Sequence, residues 1–297
     1  MFNMNPKSIL KRALLNLGIE VKQIEKAPPI PRFFECSKQA LLYSQGGKSA
    51  TFACPVNLTM HNTGIGFCAS GWNPFIETLK EFENNPKLEY KNSVLHDFYT
   101  GWTPKSAREA IIDFSDSPDI FASYHPLFLF LSPWTSLTYS EVEADVLWWN
   151  NKDNREHGCS HFNFPDDGWT FTGPVRLEKG MLEFNRTVCL YKKIRTEGYD
   201  RSKGGIGVTI LKRGNDYRYL VGGGGYHRAI VMAALGFETF PARFHRNSIV
   251  DINDVGDWPH IRSGLWTEKQ ALNYVDHLFD VDSLSWANRM NLVHYNK

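Results

Sequence analysis

Four consecutive glycines, Gly222, Gly223, Gly224 and Gly225, restrict the fold of this 297-residue chain more than any other feature. They follow a strand-like run at 217–221 and precede a stretch with helical spacing at 226–235. Glycines in that position allow positive φ and let the backbone approach a ligand closely. The start of the helix then offers free N–H groups and the positive end of its dipole to an anion.

Two basic side chains stand in the first turn of that predicted helix, directly after Tyr226. Arg228 carries a forked cation that matches phosphate oxygens, and His227 can donate a hydrogen bond or a proton. The same residues also suit a plain tight turn, with Arg228 solvated and His227 capping a neighbour. From spacing alone, both interpretations stay open.

The second half of the chain has the pattern of a compact α/β unit. Its predicted elements are a helix at 182–195 that stops at Gly198, strands at 208–211 and 217–221, a helix at 226–235, a strand at 240–245 and a helix at 267–279. Residues 33–164 are predicted to be irregular and rich in aromatics, with helices at 103–112 and 141–149. The expected fold class is mixed α/β (α+β).

The predicted organisation has four parts. Residues 1–31 form a basic amphipathic helix and a proline-rich linker, 32–172 an acceptor or substrate region, 173–250 the α/β unit and 251–297 a helical extension. The helix at 6–16 either docks on the protein's own core or makes a weak peripheral membrane contact through residues 6–17.

Composition restricts the function classes. The net charge is +1, which gives no sequence-wide attraction to nucleic acid. The purely apolar run at 127–131 is far too short to cross a bilayer, and no secretory signal opens the chain. Five scattered cysteines without a CxxC pair favour reduced thiols. A cytoplasmic location is expected, at the inner face of the membrane if the helix at 6–16 makes that contact.

Three common ligand motifs are incomplete. Gly47 and Lys48 resemble the end of a P-loop, but Leu42 stands where its first glycine is needed. A calcium-loop pattern after Asp251 lacks oxygen ligands where they are required. The His157, Cys159 and His161 run has no second ligand pair, so an ordinary loop is favoured over zinc and no metal site is predicted.

The glycine segment also resembles a known signature. Three successive parts of the sequence resemble the signature of the ParB/sulfiredoxin superfamily. They are Gly224 to Arg228, an alanine-rich helix ending at Leu235 and Gly236, and the run Phe240-Pro241-Ala242-Arg243. The upstream helix that carries Glu183 and Arg186 is similar to the helix before the family's first strand. The resemblance covers about 173–244, roughly a quarter of the chain.

The resemblance implies a phosphate cradle for ATP, ADP or CTP at the Gly-x-His-Arg turn. Two departures narrow the implied activity. Tyr226 stands where sulfiredoxin needs cysteine, which disfavours sulfinic acid reduction, and Gly224 stands where many members carry aspartate. ParB clamps also append a helix-turn-helix and a basic surface, and the sequence has no sign of either.

A second, weaker similarity lies in the flanks. The segments 97–104 and 257–264 resemble ParB-like proteins associated with bacterial surface polysaccharide synthesis. Two interpretations are open for three tryptophans of the chain, Trp102, Trp134 and Trp258. The favoured one is that they fill the core, and the alternative is that they line a saccharide pocket beside the nucleotide.

Two functional hypotheses follow. In the first, the protein is a phosphotransferase that uses ATP or ADP, with Mg²⁺ possible, on a small-molecule or saccharide acceptor. The glycines, Tyr226, His227 and Arg228 would hold the phosphates. Glu183 and His227 would be catalytic, with Glu183 as base or magnesium contact or, alternatively, an exposed carboxylate paired with Arg186. Arg186, Trp258 and Arg262 would contact the substrate or a second anion. In the second hypothesis, the protein binds a nucleotide without catalysis.

Overall fold

The fold is seen in a computed structural model that describes residues 31–45, 49–68, 71–164 and 166–294, with the backbone alone for 246–248. Residues 31–297 belong to one compact unit. The boundaries predicted at 172 and 250 lie inside this unit. The predicted helix at 6–16, the linker that follows it and the Gly47-Lys48 pair lie outside the described residues.

One mixed six-stranded sheet organises the described chain. Its strands are β1 (Arg32–Phe34), β2 (Ala50–Pro55), β3 (Thr59–Met60), β4 (Ile206–Arg213), β5 (Asp216–Val221) and β6 (Thr239–Asp251). Their order across the sheet is β1-β2-β6-β4-β5-β3. The pairs β1/β2, β4/β6 and β3/β5 are parallel, whereas β2/β6 and β4/β5 are antiparallel.

Helices pack around this sheet. They are α1 (Ser37–Ser44), α2 (Pro74–Asn84), α3 (Val94–Gly101), α4 (Tyr139–Glu156), α5 (Leu177–Glu197), α6 (Tyr226–Ala234), α7 (Pro259–Arg262), α8 (Glu268–Asp280) and α9 (Ser283–Arg289). Local chemistry fixes their ends: Thr138 and Glu141 form a capping box at α4, and α5 stops at Gly198, where φ is +77°.

Both faces of the sheet are buried. Along β5, Tyr219 and Val221 enter one hydrophobic cluster, whereas Leu220 between them enters the other. Because side chains alternate between the faces of a strand, each face carries its own apolar row and must be covered. The last three residues of β5, 219–221, are therefore buried between two apolar clusters, and the glycine turn follows directly from them.

Several sequence predictions are confirmed. The strands predicted at 217–221 and 240–245 share one sheet, and the helix after Tyr226 packs in the same core cluster. Helices predicted at 141–149, 182–195 and 267–279 are present with longer or shifted ends.

Two predictions for the first half are wrong. Residues 103–112 form no helix but bends and turns, because the N–H groups of Ala107, Arg108 and Ile112 bond to carbonyls of other segments. Residues 33–164, predicted to be irregular, supply β1–β3 and α1–α4, so this region completes the sheet of the second half.

Candidate functional site

The glycine turn needs glycine for two separate reasons. Gly223, Gly224 and Gly225 have φ of +64°, +100° and +96°, a region that other residues rarely adopt. A Cβ on Gly223 would also lie 2.0 Å from the ring of His245. The turn is tied to the sheet, because Gly207 at the start of β4 donates to the Gly224 carbonyl at 3.0 Å and accepts from the Gly222 N–H at 3.0 Å.

Helix α6 starts from this turn without a side-chain cap. Gly225 is the N-cap residue and offers no side-chain hydrogen bond. The first N–H groups of an α-helix have no acceptor inside the helix, so this end carries partial positive charge. The nine residues of α6 are thus preceded by a turn without side chains to obstruct an anion.

Tyr226 anchors the start of α6 in the core. Its ring packs edge-on against the rings of Phe171 at 4.8 Å and of His61 and Phe67, each at 5.6 Å between centroids. Burial raises the pKa of its hydroxyl, which hydrogen-bonds the side chain of Asn73. The predicted phosphate contact of Tyr226 is therefore restricted to its backbone N–H.

Glu183 lies at the centre of a buried charged network, and its side chain is fully inaccessible to solvent. Its Oε1 is 2.7 Å from the Lys179 ammonium and accepts from the Thr170 hydroxyl at 3.3 Å. Its Oε2 is 3.0 Å from Nε of Arg186 and 3.0 Å from Nε2 of His227. Burial raises the pKa of Glu183, but Arg186, Lys179 and His227 outweigh burial and hold the pKa well below its ordinary value.

The alternative of an exposed Glu183 is wrong, although its pairing with Arg186 is present. The predicted role of Glu183 as a base or magnesium contact has little geometric support, because a base needs a free lone pair and an accessible site. Four donors already surround this carboxylate, and its lowered pKa disfavours proton uptake. Its observed contacts are those of a positioning residue for Arg186 and His227.

The network joins three helices. Lys179 of α5, also fully buried, donates to Oδ1 of Asn154 on α4 at 2.5 Å. Arg186 of α5 forms an ion pair with Asp153 of α4. His227 brings α6 into the same cluster. Two carboxylates and two permanent cations balance, so the network is close to neutral while His227 is uncharged.

The contacts of His227 favour one tautomer. If Nε2 carries the hydrogen, it donates to Oε2 of Glu183, and Nδ1 is left to accept from Nη2 of Arg186 at 2.8 Å. Arg186 is also close to Nε2, but one nitrogen cannot donate to Glu183 and accept from Arg186 together. Burial, followed by the Arg186 charge, lowers the pKa of His227.

A pocket of about 440 Å³ opens beside this network. Its walls come from α4, α5 and the start of α6: Asp153, His157, Arg186, Cys189, Leu190, Lys193, Gly225, Tyr226, His227 and Arg228. Basic side chains outnumber the single carboxylate of Asp153, whose charge is already directed at Arg186. Because the rest of the pocket wall carries basic side chains, the pocket is suited to an anion.

Two arginines contact the segments around the glycine turn. Nη1 of Arg228 donates to the carbonyls of Lys203 and Gly204 at 2.9 and 3.0 Å, and Nη2 of Arg243 donates to the Gly223 carbonyl at 2.5 Å. Among the described residues, no carboxylate forms an ion pair with either guanidinium group. Burial, then the charge of Arg228, lowers the pKa of Arg243.

The structure brings together the glycines, Tyr226, His227, Arg228, Glu183 and Arg186, but not Trp258 and Arg262. Trp258 is 5% exposed and packs edge-on against Trp134, and Arg262 follows it on α7. Both lie past Asp251, which pairs with Lys212 at the far end of β4. Neither residue lines the pocket beside the glycine turn. Their role as substrate or second anion contacts therefore stays a prediction.

The tryptophans predicted to fill the core do so. Trp102, Trp134 and Trp258 are 5–7% exposed and belong to the two hydrophobic clusters. The alternative of one saccharide pocket lined by all three has no support, because Trp102 lies in a different cluster from Trp134 and Trp258.

Sequence reasoning missed several members of the site. Lys179 stands one helical turn before Glu183, and this i,i+4 spacing was a usable signal. Asp153, Asn154 and Thr170 had no such signal, since they come from other segments. His157, considered only as a zinc ligand, lies at the pocket. No group that could hold a metal is found among the described His, Cys, Asp and Glu side chains.

Comparisons with protein-family models, curated proteins and solved structures gave no match for the chain. Within the described ranges, no helix is both long and apolar enough to cross a membrane.

Proposed function

We propose that this chain binds the phosphate groups of a nucleotide at the glycine turn and the first turn of α6. The observation that supports this most strongly is the meeting, at one pocket, of an uncapped helix start, glycines with positive φ and the unpaired cation of Arg228. Backbone N–H groups at such a helix start suit phosphate oxygens. The resemblance to the ParB/sulfiredoxin superfamily supports the same site and is part of the proposal.

Binding without catalysis is the version that the geometry favours. Both side chains predicted to be catalytic, Glu183 and His227, are engaged in the buried network. A ligand that enters the pocket meets the helix start, Arg228 and Lys193 before it meets either of them. A nucleotide bound there would cross-link α4, α5 and α6, which suits a nucleotide-responsive binding protein.

Phosphoryl transfer is the second candidate, and one observation favours it. The side chain of His227 is 18% exposed beside the pocket and its pKa is lowered, so it is neutral at pH 7. A neutral imidazole held by a buried carboxylate is a common arrangement for a general base. It would require Arg186 to release Nδ1 when the substrate binds. ATP or ADP, with Mg²⁺ and a small-molecule or saccharide acceptor, would be the reactants.

The test is calorimetric binding of ATP, ADP, CTP and GTP, each with and without Mg²⁺. Arg228→Ala should weaken the binding of the preferred nucleotide by about 10- to 150-fold, since a hydrogen bond to a charged group contributes about 1.5–3 kcal/mol. Arg262→Ala is the matched control, because it removes an exposed arginine that does not line the pocket.

Two outcomes decide between the versions. Unchanged binding in Arg228→Ala, or no binding of any nucleotide to the parent, would refute the phosphate site. If binding behaves as expected, release of phosphate or labelling of an acceptor distinguishes transfer from binding alone. Arg228 also holds residues 203 and 204, so the unfolding temperature of each variant without ligand must be compared with the parent.

A further inference from the structure

The strongest remaining feature is Arg243 of β6, which nothing in the predicted site included. Its Nη2 lies 3.8 Å from the position of a Cβ on Gly224, and Nη2 of Arg228 lies 3.0 Å from that of a Cβ on Gly225, so the two guanidinium groups approach neighbouring glycines of the turn. The side chain of Arg243 is exposed, and of the two, Arg228 alone borders the pocket. The positive surface therefore continues past the pocket, across the glycines.

Two neighbouring cations without a carboxylate repel each other, and two other cations of the sheet do have carboxylate partners. Arg213 meets Asp276 and Asp280, and Lys212 meets Asp251. At the turn, no carboxylate among the described residues forms an ion pair with Arg228 or Arg243. The acceptors that hold Arg228 and Arg243 are backbone carbonyls and the Tyr199 hydroxyl, which are neutral. An anionic ligand would relieve the repulsion between the two guanidinium groups.

We propose that Arg243 is a second phosphate contact, so that the site takes a ligand with at least two linked phosphates in preference to a monophosphate. This rests on the proposed function. One phosphate lies at the start of α6 beside Arg228, and the next lies over Gly223 and Gly224, within reach of Arg243. Glycine is suited to this path, because a side chain at Gly224 would project toward Arg243 and occupy the space between them.

Inorganic phosphate and pyrophosphate are the probes, because they separate the phosphate count from the identity of the base. Their binding to the full chain is measured by calorimetry at constant ionic strength and pH. The parent should bind pyrophosphate at least about tenfold more tightly than phosphate, since a second charge-assisted contact is added. Arg243→Gln should remove most of that preference and change phosphate binding less than about twofold.

Two further variants keep the test decisive. Arg243→Lys retains the charge and should retain part of the pyrophosphate preference. If loss of the bond to the Gly223 carbonyl merely displaced the turn, phosphate and pyrophosphate binding would fall together in both Arg243 variants, and the inference would be overturned. Arg262→Gln should match the parent for both probes.

The remaining outcomes are also informative. Equal affinity of the parent for the two probes, or pyrophosphate binding that Arg243→Gln leaves unchanged, overturns the second contact while the site at α6 stands. Failure of the parent to bind either probe overturns the proposed function together with this inference.

Discussion

The buried network around Glu183 and the glycine turn around Gly223 lie side by side but use charge in opposite ways. In the network, Lys179 and Arg186 are 0% and 6% exposed, and both contact carboxylates. At the turn, Arg228 and Arg243 contact neutral groups. The comparison shows that residue type does not decide the role of a basic side chain. Basic side chains paired with carboxylates hold the helices together, whereas those that contact only neutral groups are available to a ligand.

The largest effect is expected from breaking the network. Glu183→Ala leaves Lys179 and Arg186 buried without their shared carboxylate, and removal of one partner from a buried ion pair costs about 3–5 kcal/mol of unfolding free energy. This loss of unfolding free energy is measured by urea unfolding. Glu178→Ala on the same helix, whose side chain is 60% exposed, should cost less than about 0.5 kcal/mol. Equal costs in the two variants would show that the network does not stabilise the fold.

The turn should respond next, through its backbone. Gly223→Ala places a residue at φ +64° and pushes a methyl group into the ring of His245. Gly214→Ala is the matched control, because Gly214 has φ +60° and open space around it. The control should lose about 1–2 kcal/mol for the left-handed conformation alone, and Gly223→Ala should lose clearly more. Equal losses would mean that the close approach to His245 has no energetic consequence.

A smaller effect is expected from pH. The pKa of His227 is lowered in the folded protein by burial and by Arg186, so unfolded chains bind a proton more readily. Stability contributed by the neutral form is therefore present above the ordinary pKa of 6.5 and is lost as the pH falls below it. His227→Asn should flatten the decrease in unfolding temperature between pH 6.5 and 5 relative to the parent.

That comparison must be made as a difference, because another histidine acts in the same direction. Burial lowers the pKa of His61 to about 3, so the parent and His227→Asn share its destabilisation at acid pH. Glu183 contributes at lower pH, since its lowered pKa gives stability that is present above 4.5 and lost below it. An identical pH profile in the parent and His227→Asn would contradict the placement of His227 in the network.

Sequence patterns located the turn but not its surroundings, for a physical reason. The strand, the glycines and helix α6 are adjacent in the chain, so the local sequence pattern was enough to predict them. The network joins Asp153, Lys179 and His227 from segments far apart in the chain, and its burial depends on how α4, α5 and α6 pack. Glu183 was therefore recognised as important, whereas its burial and its set of donors could not be anticipated.

The same limit explains the errors in the first half. The strands β1 and β3 have three and two residues, too few for a period of two to be recognised. Their place in the sheet is fixed by pairing with β2 and β5, which sequence alone does not reveal. Trp258 and Arg262 belong to the second, weaker resemblance, and they do not line the pocket beside the glycine turn.

Thiol labelling gives the most direct test of the central claim, that phosphate groups bind at the start of α6. Cys189 is exposed and lines the pocket, whereas Cys36 is exposed outside it. Variants that retain one of these two cysteines are labelled with a thiol reagent, with and without the nucleotide or pyrophosphate at saturating concentration. The account predicts that the ligand slows labelling of Cys189 about tenfold or more, leaves Cys36 unaffected and loses this protection in Arg228→Ala. Equal labelling of Cys189 with and without a ligand that calorimetry shows to be bound would contradict it.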